Sequence, residues 1–109
     1  MEQIDFNMFK KVEMRVGRIV EVSEIPGARK LLKLKVDFGD YGIKQAVAGI
    51  KQIYEPSQLE GKQFVFVTNL KPKKLMGETA EVMILAAVKG DKIVLIKPEK
   101  EIDNGSRVE

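Results

Sequence analysis

Apolar and polar side chains alternate from Leu32 to Asp37, with Leu32, Leu34 and Val36 set against Lys33, Lys35 and Asp37. Successive side chains of a strand point to opposite faces, so this pattern predicts a half-buried β-strand. Met14, Val16 and the run Ile19 to Val22 predict a longer strand before it. Gly39-Asp40-Tyr41-Gly42 is a hairpin signal leading into a third strand from Ile43 to Ala48. Gln63 to Leu70 and Glu81 to Val88 are the fourth and fifth strand candidates. A turn at Lys89-Gly90-Asp91 and a further strand, Lys92 to Ile96, follow. Gly49 to Glu60 reads as a short helical or irregular connection, with Pro56-Ser57-Gln58-Leu59 as a helix start. At the front, Asp5 is placed to cap a short helix that sets Phe6 and Phe9 on the core.

These elements predict an all-β domain. A five-stranded Greek-key barrel of the OB type, with a short N-terminal helix and extra C-terminal strands, fits their order. A β-sandwich or an SH3-like barrel satisfies the same string almost as well. The position of the helical connection, between the third and fourth strands, favours the OB barrel, whose base needs a plug there. With 109 residues and 44% hydrophobic content, residues 1–109 form one domain with room for one core. There is no run of about eighteen apolar residues, and Met1-Glu2-Gln3-Ile4-Asp5 has neither a basic nor an apolar leader segment. A soluble, cytoplasmic protein with no membrane partner is therefore expected.

The chain has no cysteine and no histidine, which removes thiol nucleophiles, Cys/His zinc sites and imidazole acid–base chemistry. Ser23, Ser57 and Ser106 are the only serines, and none lies in a Gly-x-Ser-x-Gly context. Asp37, Asp40, Glu78 and Glu81 form no pair suited to acid–base work. No catalytic residue, cofactor or metal is expected. The net charge of +3 is unevenly placed: residues 1–26 sum to −1, residues 27–74 to +6 and residues 75–109 to −2. A basic middle between acidic ends suggests a one-sided positive face and a polyanionic partner. Within it, Asn69 to Gly77 holds Lys71, Lys73 and Lys74 around Pro72, directly after a strand candidate, and reads as a phosphate-contacting turn.

Several blocks together resemble the tRNA-binding domain family. They are Gly27-Ala28-Arg29-Lys30-Leu31-Leu32-Lys33-Leu34, Val47-Ala48-Gly49-Ile50, Asn69 through Gly77, Met83-Ile84-Leu85-Ala86-Ala87 and Asn104-Gly105-Ser106-Arg107-Val108. Members occur at the C-terminus of methionyl-tRNA synthetases, as their free β subunit, as stand-alone tRNA-binding proteins and as the export-related chaperone CsaA. The resemblance implies an OB fold that reads tRNA shape more than sequence. In OB barrels the loop between the first two strands and the loop between the fourth and fifth lie beside one face. Arg29, Lys30 and Lys33 would then meet Lys71, Lys73 and Lys74. Asn69 offers donors and acceptors to a base edge or ribose hydroxyl, and Met76 an apolar contact to an exposed base. Tyr41 and Tyr54 are the only tyrosines and tryptophan is absent, so backbone charge should dominate over stacking.

Each residue also has a plainer reading. Lys73 and Lys74 also read as solvated turn lysines, Asn69 as a turn-satisfying amide, and Met76 and Met83 as core filler. One departure separates the family's branches. Synthetase-associated members usually carry Ser-x-Gly-Met after the basic loop, whereas this chain has Ala80-Glu81-Val82-Met83, placing an anionic Glu81 where phosphate would approach. The Glu81-Val82 step and the stretch Gly42-Ile43-Lys44-Gln45 resemble the chaperone branch, while Lys30 to Leu34 and Asn69 to Gly77 resemble the synthetase-associated branch. The resemblance further implies a homodimer, with Ile4, Phe6, Met8, Phe9, Ile93 to Ile96 and Ile102 to Val108 as interface material. Its expected partners are tRNA and a methionyl-tRNA synthetase catalytic subunit; a peptide-binding chaperone is the alternative.

Overall fold

Alternation along the second strand is realised residue by residue: Leu32, Leu34 and Val36 are buried while Lys33, Lys35 and Asp37 face outward. The computed structural model describes every residue from Met1 to Glu109. A single helical turn, α1 (Phe6–Phe9), precedes β1 (Met14–Glu24), β2 (Leu32–Asp37), β3 (Ile43–Ala48) and β4 (Gln63–Val67). A small hairpin, β5 (Lys73–Leu75) and β6 (Glu78–Ala80), comes next. The chain ends with β7 (Met83–Ile84), β8 (Ala86–Lys89), β9 (Lys92–Leu95) and β10 (Arg107–Val108). Short 3-10 turns at Gly39–Tyr41 and Pro56–Gln58 fill the two connections around β3.

The principal sheet runs β3-β2-β1-β4-β7, with β10 added to the first residues of β1. All these pairings are antiparallel. A parallel bridge between Ala46 and Val82 draws β3 toward the segment entering β7, giving a nearly closed five-stranded barrel. β1 serves both halves: Met14 to Arg18 pair with β4, and Arg18 to Glu24 with β2, across a register shift between Ile19 and Glu21. Such a bulge bends the strand and lets one segment turn the corner of a barrel.

Ile19, Leu34, Val36, Phe38, Leu59 and Phe66 occupy the barrel interior. Phe38 and Phe66 meet edge to face, centroids 5.4 Å apart at 83°, the arrangement an aromatic quadrupole favours. Gly17 makes room for them. A Cβ there would lie 2.5 Å from Val36 Cγ1 and 2.6 Å from Phe38 Cε1.

Four expectations change. The fourth strand ends at Val67 rather than Leu70: Thr68 still donates its N–H to the Glu13 carbonyl at 2.9 Å, but the return bond is lost because the Glu13 N–H goes to Asn69 Oδ1 instead. The fifth strand, expected from Glu81 to Val88, is broken at Leu85, where the chain leaves β4 as partner and takes up β9. Phe6 and Phe9 stand in solvent, 72% and 38% exposed, since α1 packs none of its residues into the barrel; Asp5 makes no side-chain cap. Met83 is likewise exposed rather than core, being paired with Val67 at the barrel's outer edge.

Candidate nucleic-acid interface

The loop from Ile25 to Leu31, joining β1 to β2, is held from beneath. Ile25 and Ala28 are buried, and the Ala28 N–H closes a turn onto the Ile25 carbonyl at 2.9 Å. Lys51 ties the loop down by donating its backbone N–H to the Lys30 carbonyl at 3.0 Å and its ammonium to the Ala28 carbonyl at 3.2 Å. The same ammonium meets Glu24 at 2.5 Å and holds that carboxyl below its ordinary range. Arg29 and Lys30 project from this pinned loop into solvent.

The lysine stretch expected as a Pro-fixed turn is instead the first strand of a hairpin. Lys73 pairs with Ala80, Lys74 with Thr79 and Leu75 with Glu78. Met76 and Gly77, at φ 51° and 82°, form the two-residue turn. Both central residues of such a turn need positive φ, which Gly77 adopts freely and Met76 only with strain. Alternation along β5 sends Lys73 and Lys74 to opposite faces of the hairpin. Lys73 shares a face with the half-buried Leu75, whereas Lys74 points the other way.

Asn69 roots the hairpin. Its Oδ1 accepts the Glu13 N–H at 2.9 Å, and its Nδ2 donates to the Lys11 carbonyl at 2.6 Å. The Thr68 hydroxyl adds a bond to Glu13 Oε1 at 3.0 Å. Hydrogen bonding from the Arg15 guanidinium lowers the Glu13 carboxyl pKa, more than burial opposes it. The amide expected as a base reader is thus engaged in fixing a turn, with one lone pair and one N–H remaining for a ligand.

Hairpin and loop come together as the OB arrangement requires. A Cβ built on Gly27 would touch Met76 Cε at 3.6 Å, and Lys33 Nζ lies 3.5 Å from Glu78 Oε2. Lys33 is therefore partly committed, while Arg29, Lys30, Lys71, Lys73 and Lys74 have no ion-pair partner within the chain. Glu81 is turned onto the barrel, its Oε1 accepting the Gln45 N–H at 3.0 Å. No cluster of acidic residues is built to hold a metal ion. Reading the sequence missed the roles of Lys51, Gln45 and Glu78, which depend on partners across the fold; a polar Gln45 next to the apolar run Ala46-Val47-Ala48 was the one available signal.

Residues 14–107 match the family described as "Putative tRNA binding domain". Among curated relatives, the methionine–tRNA ligase of Thermococcus kodakarensis is 44% identical over 99% of this chain, which spans 14% of that ligase's length. A MetRS-related protein of Pyrococcus horikoshii superposes with a TM-score of 0.93 at 41% identity, covering 99% of both chains. The chaperone CsaA of Bacillus anthracis superposes with a TM-score of 0.90 at 33% identity, over 99% of this chain and 100% of that one.

Proposed function

The chain belongs to the tRNA-binding domain family, and from that premise we propose that it binds tRNA at the joined β1–β2 loop and β5–β6 hairpin, catalysing no reaction. One observation supports the siting: the loop that bears Arg29 and Lys30 lies against the hairpin that bears Lys73 and Lys74, with Gly27 beside Met76 and Lys33 beside Glu78, and none of these four cations, nor Lys71 ahead of the hairpin, is neutralised within the chain. Unpaired cations keep their full value for phosphate, because no internal partner must first be displaced. Lys33 joins them while sharing its charge with Glu78. Met76, exposed at the hairpin tip, supplies an apolar surface for an unstacked base, and the spare capacity of Asn69 reaches a ribose or base edge at the hairpin root.

Such a module acts by raising the local concentration of tRNA. Likeness to the end of a methionine–tRNA ligase supports a role beside a methionyl-tRNA synthetase catalytic subunit, or as a free-standing tRNA-binding protein. The exposed Phe6, Met8 and Phe9 on α1, and Val94 on β9 with Ile96 just beyond it, support a homodimer, since exposed apolar patches mark interfaces. Two basic faces on one dimer would gain from effective concentration on a single tRNA.

Titration with unfractionated tRNA across salt concentrations tests the reading. With five unpaired cations engaged at about 0.7–0.9 in slope each, affinity falls on the order of several hundredfold between about 50 and 200 mM salt. A second reading, peptide binding, is favoured by the likeness to CsaA and by a cleft of about 350 Å³ lined by Phe6, Phe9 and Val12 beside Val108. Tight, salt-insensitive capture of an unfolded polypeptide, with no tRNA binding, would select it.

A further inference from the structure

The β5–β6 hairpin is a separate two-stranded sheet with no ladder to the barrel. Two-stranded hairpins are marginal alone, so whatever fixes its pose decides whether its lysines stand beside Arg29 and Lys30. Gln45 in β3 meets this hairpin and its exit with both backbone and side chain. Its Nε2 donates to the Thr79 carbonyl at 2.9 Å and to Glu78 Oε1 at 3.3 Å. Its carbonyl accepts the Glu81 N–H at 2.8 Å, while its own N–H is bound by the Glu81 carboxylate. The other Glu78 oxygen faces Lys33 in β2. One carboxylate thus links the hairpin to two strands of the barrel wall.

We propose that Gln45 and Glu78 form a latch that positions the β5–β6 hairpin against the β1–β2 loop and so assembles the cationic surface. The proposal deepens the tRNA reading and rests on it for its binding consequences. Both are positioning residues: the latch turns their polar atoms inward, onto the hairpin backbone and Lys33. Gln45→Glu keeps the side-chain shape, removes both donated bonds and sets two carboxylates face to face. Adding Glu78→Gln restores a donor–acceptor pair between the two positions, though not the bond to the Thr79 carbonyl, so the double variant should recover part of what the single one loses.

Two measurements on the full chain test this. Amide hydrogen exchange across residues 73–80 should quicken by about tenfold in Gln45→Glu, the scale set by a hydrogen bond to a charged group, while β1 and β4 amides are unchanged. Affinity for unfractionated tRNA should fall by a similar factor, and its salt dependence should flatten as the hairpin lysines drift from the loop. A merely structural residue would lower the melting temperature without altering the salt slope. Gln45→Ala, which leaves the backbone bonds to Glu81 in place, serves if Gln45→Glu does not fold, with the same shifts expected. Unchanged exchange, or additive losses in Gln45→Glu/Glu78→Gln, would overturn the latch. Wild-type protein that ignores tRNA while the exchange behaves as expected would instead overturn the tRNA reading and leave the latch standing.

Discussion

Replacing Lys73 and Lys74 together by alanine removes two of the five cations that have no internal partner. Both side chains are exposed and free of hydrogen bonds, so stability should move by no more than about 0.5 kcal/mol. Binding should change far more. Each phosphate contact contributes about 0.7–0.9 to the slope of log affinity against log salt, which at about 0.1 M is about five- to eightfold in affinity. Two contacts make about 25- to 60-fold, with the slope falling from about 4 to between 2 and 3. Filter binding of tRNA at four or more salt concentrations, with circular dichroism to verify the fold, measures both quantities. A lower affinity with an unchanged slope would mean that the lysines act through something other than phosphate. Unchanged affinity and slope would refute the siting of the interface on the hairpin.

Met76→Asn should stabilise the protein by about 1 kcal/mol, because asparagine tolerates the left-handed backbone at φ 51°; thermal melting reads this, and tRNA affinity should fall with the lost apolar tip. Gly17→Ala should cost about 1–3 kcal/mol in urea unfolding, as its methyl would overlap Val36 and Phe38. Arg15 lowers the Glu13 pKa below the ordinary 4.5, so the stability from this contact is complete above that pH and lost as pH falls through the depressed value. Glu13→Gln should therefore lose less stability than wild type on acidification, in denaturant titrations from neutral pH to about pH 3. Phe6→Glu together with Val94→Glu should convert a dimer to monomers in sedimentation velocity; a wild-type protein that is monomeric at tens of micromolar would refute the homodimer.

Much of the barrel was legible before its structure. β2 begins and ends where its period-two pattern places it, because burial on one face and solvation on the other is a local regularity written into the strand's own sequence, and β3 spans the residues expected after the Gly39–Gly42 turn signal. The fifth strand was misread as continuous since Met83 to Val88 is apolar throughout, and nothing local marks Leu85 as the point where the partner changes from β4 to β9. Phe6 and Phe9 were misplaced for a related reason. Their spacing is that of a buried helical face, yet a single turn lying outside the barrel has no core to meet.

By itself, then, the sequence determined the all-β class, the positions of the central strands, the absence of thiol and imidazole chemistry, and two basic segments flanking predicted strands. These rest on composition and on contacts between near neighbours. Tertiary structure decided which polar groups are free. Asn69 reaches Lys11 across 58 residues, and Gln45 reaches Glu78 across 33, so each acquires its role only when distant strands are brought into register. It also separated Lys73 from Lys74, adjacent in sequence and alike in chemistry, by placing them on a strand where neighbours face opposite ways. A side chain's capacity to bind is written in its chemistry, but whether that capacity is already spent depends on what folding sets beside it.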